Sequence, residues 1–307
     1  MRPRTLEAKG VYTICPTPFD GNGDLDLDSS RRLVDFQLEA GIHGLAILGF
    51  LGEAHKLSGF ERRRLIETVV SHARGKVPIW VGVRALGTEG AIEQAQIAEG
   101  LGANAIFAAP LDNCSEDALF DYYSKLAQSI KIPVVIHDFP DSFGTEIRAE
   151  LVARLGKDAN VPMIKMEEPP VGPKISRIQE LAGDSIKIFG GLGGVYFLEE
   201  LERGAVGTMT GFAFPEILLR IYTLFSESKF DQAAQVFDRY CPLIRYEFQP
   251  KIGLALRKYV YMKRGIISTD TIRSPGKLIN DITKQELTRV VERMGLSLNK
   301  RGVQKVI

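Results

Sequence analysis

Residues 162–169 read Pro-Met-Ile-Lys-Met-Glu-Glu-Pro, and they bring an amine and a carboxylate together inside a short apolar stretch. The central residues predict a strand bracketed by prolines, and side chains on a strand alternate between two faces. Lys165 and Glu167 therefore share one face with Met163, whereas Ile164 and Met166 share the other. Neither charge is expected in a protein interior without a partner. An edge strand with two solvated charges is the alternative that this segment alone leaves open.

A lysine amine that is removed from water gains a particular reactivity. Lost hydration lowers the pKa of the amine, and its neutral form can attack the C2 carbonyl of a 2-oxo acid. The resulting iminium draws electrons from C3, so that removal of a C3 proton gives an enamine. The enamine can add to an aldehyde, release one, or expel a hydroxyl group at C4. Because the lysine supplies the electron sink, this chemistry requires no cofactor.

The elements that would position such a lysine recur along the chain. Apolar runs that predict strands, each followed by a segment with helical spacing, lie at 11–15, 44–49, 78–83, 105–110, 133–138, 163–167, 187–191 and 207–211. Apolar strands that alternate with helices indicate a parallel sheet covered on both faces. Eight such units favour a (β/α)8 TIM barrel over a doubly wound sheet, with reacting groups at the carboxyl ends of the strands. Lys165 and Glu167 end the sixth run, and His137 ends the fifth.

The segments between the strands carry signals for helix ends. Ser58-Gly59-Phe60-Glu61 has the form of a capping box and predicts the start of an amphipathic helix. Gly41, Gly102 and Gly204 each stand just before a predicted strand, where glycine closes the turn that follows a helix. The repeating unit is therefore helix, glycine turn and strand.

The last part of the chain has no strand signal. Helices are predicted at 230–240, 251–263 and 284–294. We expect the barrel to occupy residues 1–225 and a C-terminal helical extension, packed on the barrel, to occupy residues 226–307. The polar tail that begins at Asn299 is expected to fray.

Composition excludes several classes of protein. The chain has 307 residues, of which 45% are hydrophobic, and its formal net charge is +1. No basic excess points to nucleic acid, no run is long enough for a membrane span, and residues 1–10 lack the apolar core of a signal peptide. A cytoplasmic location is the simplest expectation. The three cysteines lie far apart, which favours free thiols over disulfides or zinc ligands, and no metal site is predicted.

Several short motifs, taken in their order and spacing, resemble those of one known family. They are Pro16-Thr17-Pro18-Phe19, Gly49-Phe50-Leu51-Gly52-Glu53, the segment 133–140, Ile164-Lys165 and Gly207-Thr208-Met209-Thr210. Over about residues 8–295 the chain resembles the dihydrodipicolinate synthase and N-acetylneuraminate lyase family of Schiff-base TIM barrels. The resemblance implies that Lys165 forms the imine with a 2-oxo acid, that no cofactor takes part, and that the protein is a homotetramer.

The chain departs from this family at five positions near the expected site. His137 stands where the synthase and the lyase have a tyrosine, and Phe50-Leu51 replaces the threonine pair of the synthase. Asp112 matches the position of a second tyrosine, and Phe143 is nearest to the position of an arginine. The hydroxyl relay of the synthase and its clamp for the aldehyde carboxylate are both missing, so synthesis of dihydrodipicolinate is not expected.

The residues after the lysine resemble one branch of the family, the 2-keto-3-deoxy-L-arabonate dehydratases. Those enzymes have an acid two residues after the lysine and then a proline, as in Lys165-Met166-Glu167-Glu168-Pro169. The resemblance assigns to Glu167 the removal of the C3 proton and the protonation of the departing C4 hydroxyl, with His137 as an alternative acid or an orienting group. Gly52 stands where that branch has a serine.

The substrate carboxylate needs hydrogen-bond donors. Backbone N–H groups of Phe50, Leu51 and Gly52 are the predicted donors, and Gly190 and Met209 are predicted to line the substrate site. A glycine at residue 190 would let the backbone approach a ligand closely.

Three functions are compatible with these residues. The first is dehydration of a 2-keto-3-deoxy sugar acid through a Lys165 imine. The second is an aldolase reaction in the same pocket, which joins or releases pyruvate and an aldehyde. The third is a non-catalytic protein that binds 2-oxo acids, although such a protein would not require the acid at Glu167.

Overall fold

The computed structural model describes residues 7–306, which form a closed barrel of parallel strands. Each strand pairs with the next along the chain, and β8 closes the barrel on β1. The strands are β1 (Gly10–Ile14), β2 (Gly44–Ile47), β3 (Ile79–Val83), β4 (Ala105–Ala108), β5 (Val134–Asp138), β6 (Met163–Met166), β7 (Lys187–Gly190) and β8 (Gly207–Thr210). The predicted (β/α)8 barrel is confirmed, and every predicted strand is present with its ends shifted by two residues at most.

Helices separate the strands and continue beyond the barrel. The helices in and around the barrel are α1 (Leu27–Ala40), α2 (Gly59–Ala73), α3 (Thr88–Gly100), α4 (Glu116–Ser129), α5 (Pro140–Phe143), α6 (Ala149–Asp158), α7 (Val171–Ala182), α8 (Phe197–Glu202) and α9 (Pro215–Ser226). The C-terminal helices are α10 (Phe230–Glu247), α11 (Gly253–Lys263) and α12 (Asp281–Arg293). The predicted division at residue 225 falls within α9 and stays a prediction. Residues 1–6, which the signal-peptide argument included, and residue 307 lie outside the described part of the chain.

Two apolar layers enclose the strands. Tyr12, Trp80 and Phe189 fill the barrel interior, and a larger cluster lies between the strands and the surrounding helices. In β6, Met163 belongs to the interior cluster, whereas Ile164 and Met166 belong to the outer one. The predicted alternation along this strand is therefore confirmed.

Local signals in the sequence account for the ends of several helices. The Ser58 side chain accepts a hydrogen bond from the N–H of Glu61, and the Glu61 carboxylate accepts one from the N–H of Ser58, so the capping box is present. Gly41 and Gly102 adopt φ angles of 84° and 92°, in the left-handed region that glycine tolerates best. These turns return the chain from the outer layer to the next strand.

The C-terminal extension differs from its prediction in two places. Helix α10 continues past Pro242 to Glu247, because Leu243 and Ile244 are fully buried and their packing offsets the backbone hydrogen bond that proline cannot donate. The tail from Asn299, which is expected to fray, is irregular and mostly exposed, but hydrogen bonds hold it at Gly302 and Gln304. Gln304 is buried, its N–H donates to Glu216 Oε1 at 3.1 Å, and Arg264 donates to the carbonyl of Gly302 at 2.8 Å.

The three cysteines are free thiols. Within residues 7–306 there is no helix with both the length and the apolar character that crossing a membrane demands.

Candidate active site

The adjacent strands β5 and β6 bring three sequence-predicted residues together at their carboxyl ends. His137 and Lys165 are register partners across the two strands, and the N–H of Glu167 extends the ladder by donating to the Asp138 carbonyl at 2.8 Å. The relative exposures of His137, Lys165 and Glu167 are 4%, 2% and 5%. The edge-strand alternative with solvated charges is therefore wrong, since β6 lies between β5 and β7 in a closed barrel.

The three side chains contact one another directly. Lys165 Nζ lies 2.9 Å from Nε2 of His137 and contacts Oε2 of Glu167. That same Oε2 lies 3.0 Å from His137 Nε2. The other oxygen, Oε1, accepts a hydrogen bond from the N–H of Leu192 at 2.9 Å, so the carboxylate is held from both sides. We call Lys165, His137 and Glu167 the trio.

Burial and mutual contact shift the pKa of each group in the trio. Burial lowers the pKa of Lys165, although the Glu167 carboxylate opposes this effect. Burial and the positive charge of Lys165 lower the pKa of His137 to about 4, so its ring is neutral near pH 7. Burial alone would raise the pKa of Glu167, but Lys165 and the hydrogen bond from His137 bring it down to about 2. The trio thus holds an ionised carboxylate in contact with an amine whose pKa is lowered.

A second buried carboxyl group lies behind the trio. Glu200 on α8 is fully buried, and a methyl group added at Gly190 would collide with its carboxyl oxygens. Neither oxygen has a hydrogen-bond partner of standard geometry among the described residues. Burial raises the pKa of Glu200 to about 8, which the nearby N–H of Gly191 only partly offsets. This side chain is therefore a neutral acid at pH 7.

A cavity of about 60 Å³ opens beside the trio. His137 lines it, whereas Lys165 and Glu167 do not, so His137 separates the cavity from the amine. Its lining includes the rings of Phe50 and Phe143. The cavity therefore lies past His137, toward strands β3 and β4.

The predicted substrate-binding residues occupy different places around the mouth of the barrel. Phe50 lines the cavity and is 45% exposed, whereas Leu51 packs on the cluster inside the barrel. The N–H of Gly52 donates to the Gly49 carbonyl at 3.0 Å and is already in use. Gly190 lies against Glu200, and Met209 lies in the barrel interior. Among residues 7–306 we find no acceptor for the N–H groups of Phe50 and Leu51, which leaves them available as donors.

Residues of metal-binding type do not gather in groups of three or more anywhere in the described ranges. The imine chemistry predicted for Lys165 uses only the side chains described above.

The sequence also matches a model of a known protein family over residues 7–294. The description of that model is the Dihydrodipicolinate synthetase family. The chain belongs to this family. It is accordingly a Schiff-base lyase of the family type, and 2-oxo acids are the class of substrate that the family binds.

Curated relatives include enzymes of two kinds. The chain is 30% identical over 297 residues to L-2-keto-3-deoxyarabonate dehydratase of Azospirillum brasilense, covering 94% of this chain and 96% of the relative. It is 31% identical over 292 residues to 4-hydroxy-tetrahydrodipicolinate synthase of Methanothrix thermoacetophila, covering 93% and 97%. Among solved structures, dihydrodipicolinate synthase from Rhodopseudomonas palustris superposes with a TM-score of 0.88 at 32% identity, covering 94% of this chain and 98% of the other.

Two charged residues near the site were missed by the reasoning from sequence. Glu200 is one of several acids on a short helix and nothing in its local pattern distinguishes it. Arg84 directly follows β3 and lines the cavity. Its place at the carboxyl end of a barrel strand was a usable signal, because that end carries the functional groups of such barrels.

Proposed function

We propose that this member of the dihydrodipicolinate synthetase family dehydrates a 2-keto-3-deoxy sugar acid, similar to 2-keto-3-deoxy-L-arabonate, through an imine on Lys165. One observation carries the proposal: the Glu167 carboxylate contacts the Lys165 amine from the same strand face. A base at this place can serve both the nitrogen and the carbon next to the imine.

The reaction begins with attack of neutral Lys165 Nζ on C2, and Glu167 accepts the proton that the ammonium must lose. The carbinolamine hydroxyl then leaves as water with the proton held by Glu167, which gives the iminium and restores the Glu167 carboxylate. Glu167 then removes a proton from C3, and the C–H electron pair forms the enamine. When the enamine pair forms the C3–C4 double bond, the C4–O bond breaks, and the proton held by Glu167 leaves with the hydroxyl as water. Hydrolysis of the iminium frees the dehydrated 2-oxo acid and restores the amine.

His137 supports these steps as a neutral ring. Its Nε2 lies within hydrogen-bond distance of both Lys165 Nζ and Glu167 Oε2. A neutral imidazole leaves Glu167 ionised and directs its Oε2 toward the amine. We further propose that the free N–H groups of Phe50 and Leu51 bind the C1 carboxylate, without the N–H of Gly52.

An aldolase reaction in the same pocket is the second candidate, since synthases are among the relatives at 31% identity. It would use the same imine and would release or consume pyruvate. The sequence opposes the synthase reaction itself, because His137 and Phe143 stand where that enzyme has its tyrosine and arginine.

The decisive experiment is borohydride reduction followed by mass spectrometry and peptide mapping, in parallel with pyruvate and with 2-keto-3-deoxy-L-arabonate, together with product analysis. An adduct on Lys165 and a product lighter by one water support the dehydratase, whereas free pyruvate from the sugar acid supports the aldolase. An adduct without turnover of any sugar acid would indicate a non-catalytic binder. The absence of any adduct would exclude the imine mechanism.

Glu167→Gln tests the proposed base. The variant should still form the borohydride adduct but lose turnover by roughly a hundredfold or more, the usual contribution of a general acid or base. Glu168→Gln is the matched control, because Glu168 pairs with Lys174 and lies outside the trio. Full activity of Glu167→Gln would show that the assignment is wrong. The expected homotetramer also stays a prediction, which light scattering after size-exclusion chromatography can test.

A further inference from the structure

Arg84 is an exposed residue that lines the cavity beside the trio and brings a positive charge to it. It is the first residue after β3, and its guanidinium lies over the ring of Phe143, with Cζ 5.1 Å from the ring centroid. Within residues 7–306 its side chain has no hydrogen bond to an acceptor and no ion pair with a carboxylate. Arginine presents a planar fork of donors that matches a carboxylate in geometry, so an unpaired guanidinium in a cavity is suited to an anionic group.

The other groups that line the cavity leave this role to Arg84. The lining contains no aspartate or glutamate. The Arg62 guanidinium already donates to the Gly82 carbonyl at 3.3 Å and to Gln94 Oε1 at 2.8 Å. His55 stacks on Phe50, and burial together with neighbouring positive charges lowers its pKa, which keeps its ring neutral. Arg84 is therefore the uncommitted cation of the cavity.

The position of Arg84 matches the far end of a substrate bound to Lys165. The path between them runs from Lys165 to His137, from the His137 ring to Phe143 at 4.9 Å between centroids, and from Phe143 to Arg84. Two strands lie between β3 and β6 in the barrel. The C1 carboxylate is bonded to the carbon that Lys165 attacks, so it stays close to Nζ and cannot be the group that Arg84 meets.

We propose that Arg84 determines specificity by binding a carboxylate at the end of the substrate distant from the imine, so that the preferred substrates are 2-oxo diacids. This inference rests on the proposed function and revises its preferred substrate: among 2-keto-3-deoxy sugar acids, those with a terminal carboxylate are preferred over those that, like 2-keto-3-deoxy-L-arabonate, end in a hydroxyl. Phe143 holds the guanidinium in place by stacking.

The test measures imine formation rather than turnover. Wild-type protein is titrated with pairs of 2-oxo acids that have equal chain length, 2-oxoglutarate against 2-oxopentanoate and 2-oxoadipate against 2-oxohexanoate, with cyanoborohydride trapping read by intact mass. In at least one pair, half-maximal trapping of the diacid should require a concentration about tenfold lower, as expected for one charge-assisted hydrogen-bonded pair. In Arg84→Gln the ratio between the paired acids should fall to near one, and Arg84→Lys should restore part of it.

The control variant is Arg220→Gln, which removes an exposed arginine of α9 and should keep the wild-type ratio. Equal trapping of paired acids by the wild type, or an unchanged ratio in Arg84→Gln, would overturn the inference. Trapping with pyruvate separates this result from failure of the proposed function. If pyruvate forms the adduct on Lys165 and the diacids show no preference, only the inference fails, and if pyruvate forms none, the imine mechanism fails with it.

Discussion

The neutral state of His137 decides how the trio responds to pH. Because burial and the charge of Lys165 lower the pKa of His137 to about 4, the ring stays unprotonated across the neutral range. Protonation of His137 below about pH 4 would place a second positive charge beside Lys165. The charged ring would also form an ion pair with Glu167. A histidine with an ordinary pKa would change its charge near pH 6.5, and activity would then change in that range.

We therefore expect kcat/KM for dehydration to show no acid limb from His137 between about pH 5 and 8, with loss of activity setting in near pH 4. His137→Gln should shift or abolish that limb while the adduct with pyruvate still forms. The measurement is a pH profile of kcat/KM for both proteins with a buffer-matched stability check. A limb centred near pH 6.5 in the wild type that disappears in His137→Gln would contradict this account.

Glu200 should make stability depend on pH in the opposite sense to an ion-paired acid. Its pKa is about 8 in the folded protein, against about 4.3 for an unfolded chain. Between those values the folded state keeps a proton that the unfolded state releases, so stability falls as pH rises through the window. Below the window both states are protonated, and above it both are ionised, so Glu200 adds no slope there.

Glu200→Gln removes this titration and keeps the shape of the neutral acid. Relative to wild type, the free energy of unfolding of the variant should increase by up to about 1.4 kcal/mol for each pH unit inside the window. Urea denaturation at several pH values measures the difference, and Glu199→Gln is the control because Glu199 is an exposed neighbour on the same helix. A pH-independent difference between Glu200→Gln and wild type would show that Glu200 is ionised when folded.

At the scale of residues, the sequence predicted which side chains share one face of a strand. Alternation along β6 placed Lys165 and Glu167 on one face, and the barrel hypothesis added His137 from the neighbouring strand. Glu200 was not predictable in this way, since it reaches the site from a helix behind β7. Contacts of that kind depend on packing between elements, which local pattern does not contain.

The end of β7 positions Glu167 through the space that glycine leaves. A methyl group added at Gly191 would lie 2.6 Å from both the carboxyl carbon and Oε1 of Glu167. The φ angle of Gly191 is negative, at −150°, and the close contact with Glu167 is what requires glycine here. The next residue but one along this loop, Gly193, has a φ of 69° and lies against Phe248 of the C-terminal extension.

Gly191→Ala should displace the Glu167 carboxylate and lower kcat by about tenfold or more, since small misplacements of a reacting group are costly to rate. Overpacking at this buried site should also reduce the free energy of unfolding by about 1–3 kcal/mol. Steady-state kinetics and urea denaturation measure the two effects. Gly100→Ala at the end of α3 is the control, because a methyl group there meets open space. Wild-type kinetics in Gly191→Ala would show that the loop yields without moving Glu167.

At the scale of elements, strands were easier to predict than helix ends. Most strands of the barrel are largely apolar, and their runs end near the loops, so their limits followed closely from hydrophobicity. Helix α10 was predicted too short, because burial of the residues after Pro242 maintains the helix to Glu247. The tail was predicted to fray because it is polar, yet its polar groups bond to Arg264 and Glu216.

The barrel and the C-terminal extension are joined at the whole-molecule scale by a buried ion-pair cluster around Glu53. Glu53 is fully buried in the turn after β2, and its Oε1 lies 2.5 Å from Nζ of Lys258 on α11. Its Oε2 lies 2.8 Å from Lys56 Nζ and accepts a hydrogen bond from the N–H of Arg273 at 3.2 Å. This turn also carries the donors proposed for the substrate carboxylate, so the extension helps to fix the substrate site.

Removal of Glu53 would leave Lys258 buried without its countercharge. Burial already lowers the pKa of Lys258 to about 8 despite the Glu53 carboxylate, so loss of that carboxylate should lower it further and bring deprotonation into the neutral range. Glu53→Gln is expected to reduce the free energy of unfolding by about 3–5 kcal/mol, the usual result of breaking a buried pair.

The double variant Glu53→Gln/Lys258→Met should recover much of that loss, because replacing both partners of a buried ion pair is often nearly neutral. Urea denaturation of the single and double variants gives the coupling energy between the two side chains. The same variants should weaken trapping of pyruvate if the turn after β2 loses its position. Lys258→Met restores packing but not the ion pair between α11 and this turn. Exposed ion pairs contribute less than about 1 kcal/mol. If Glu53→Gln reduces the free energy of unfolding by no more than that, other contacts between the barrel and the extension provide most of the stability of their interface.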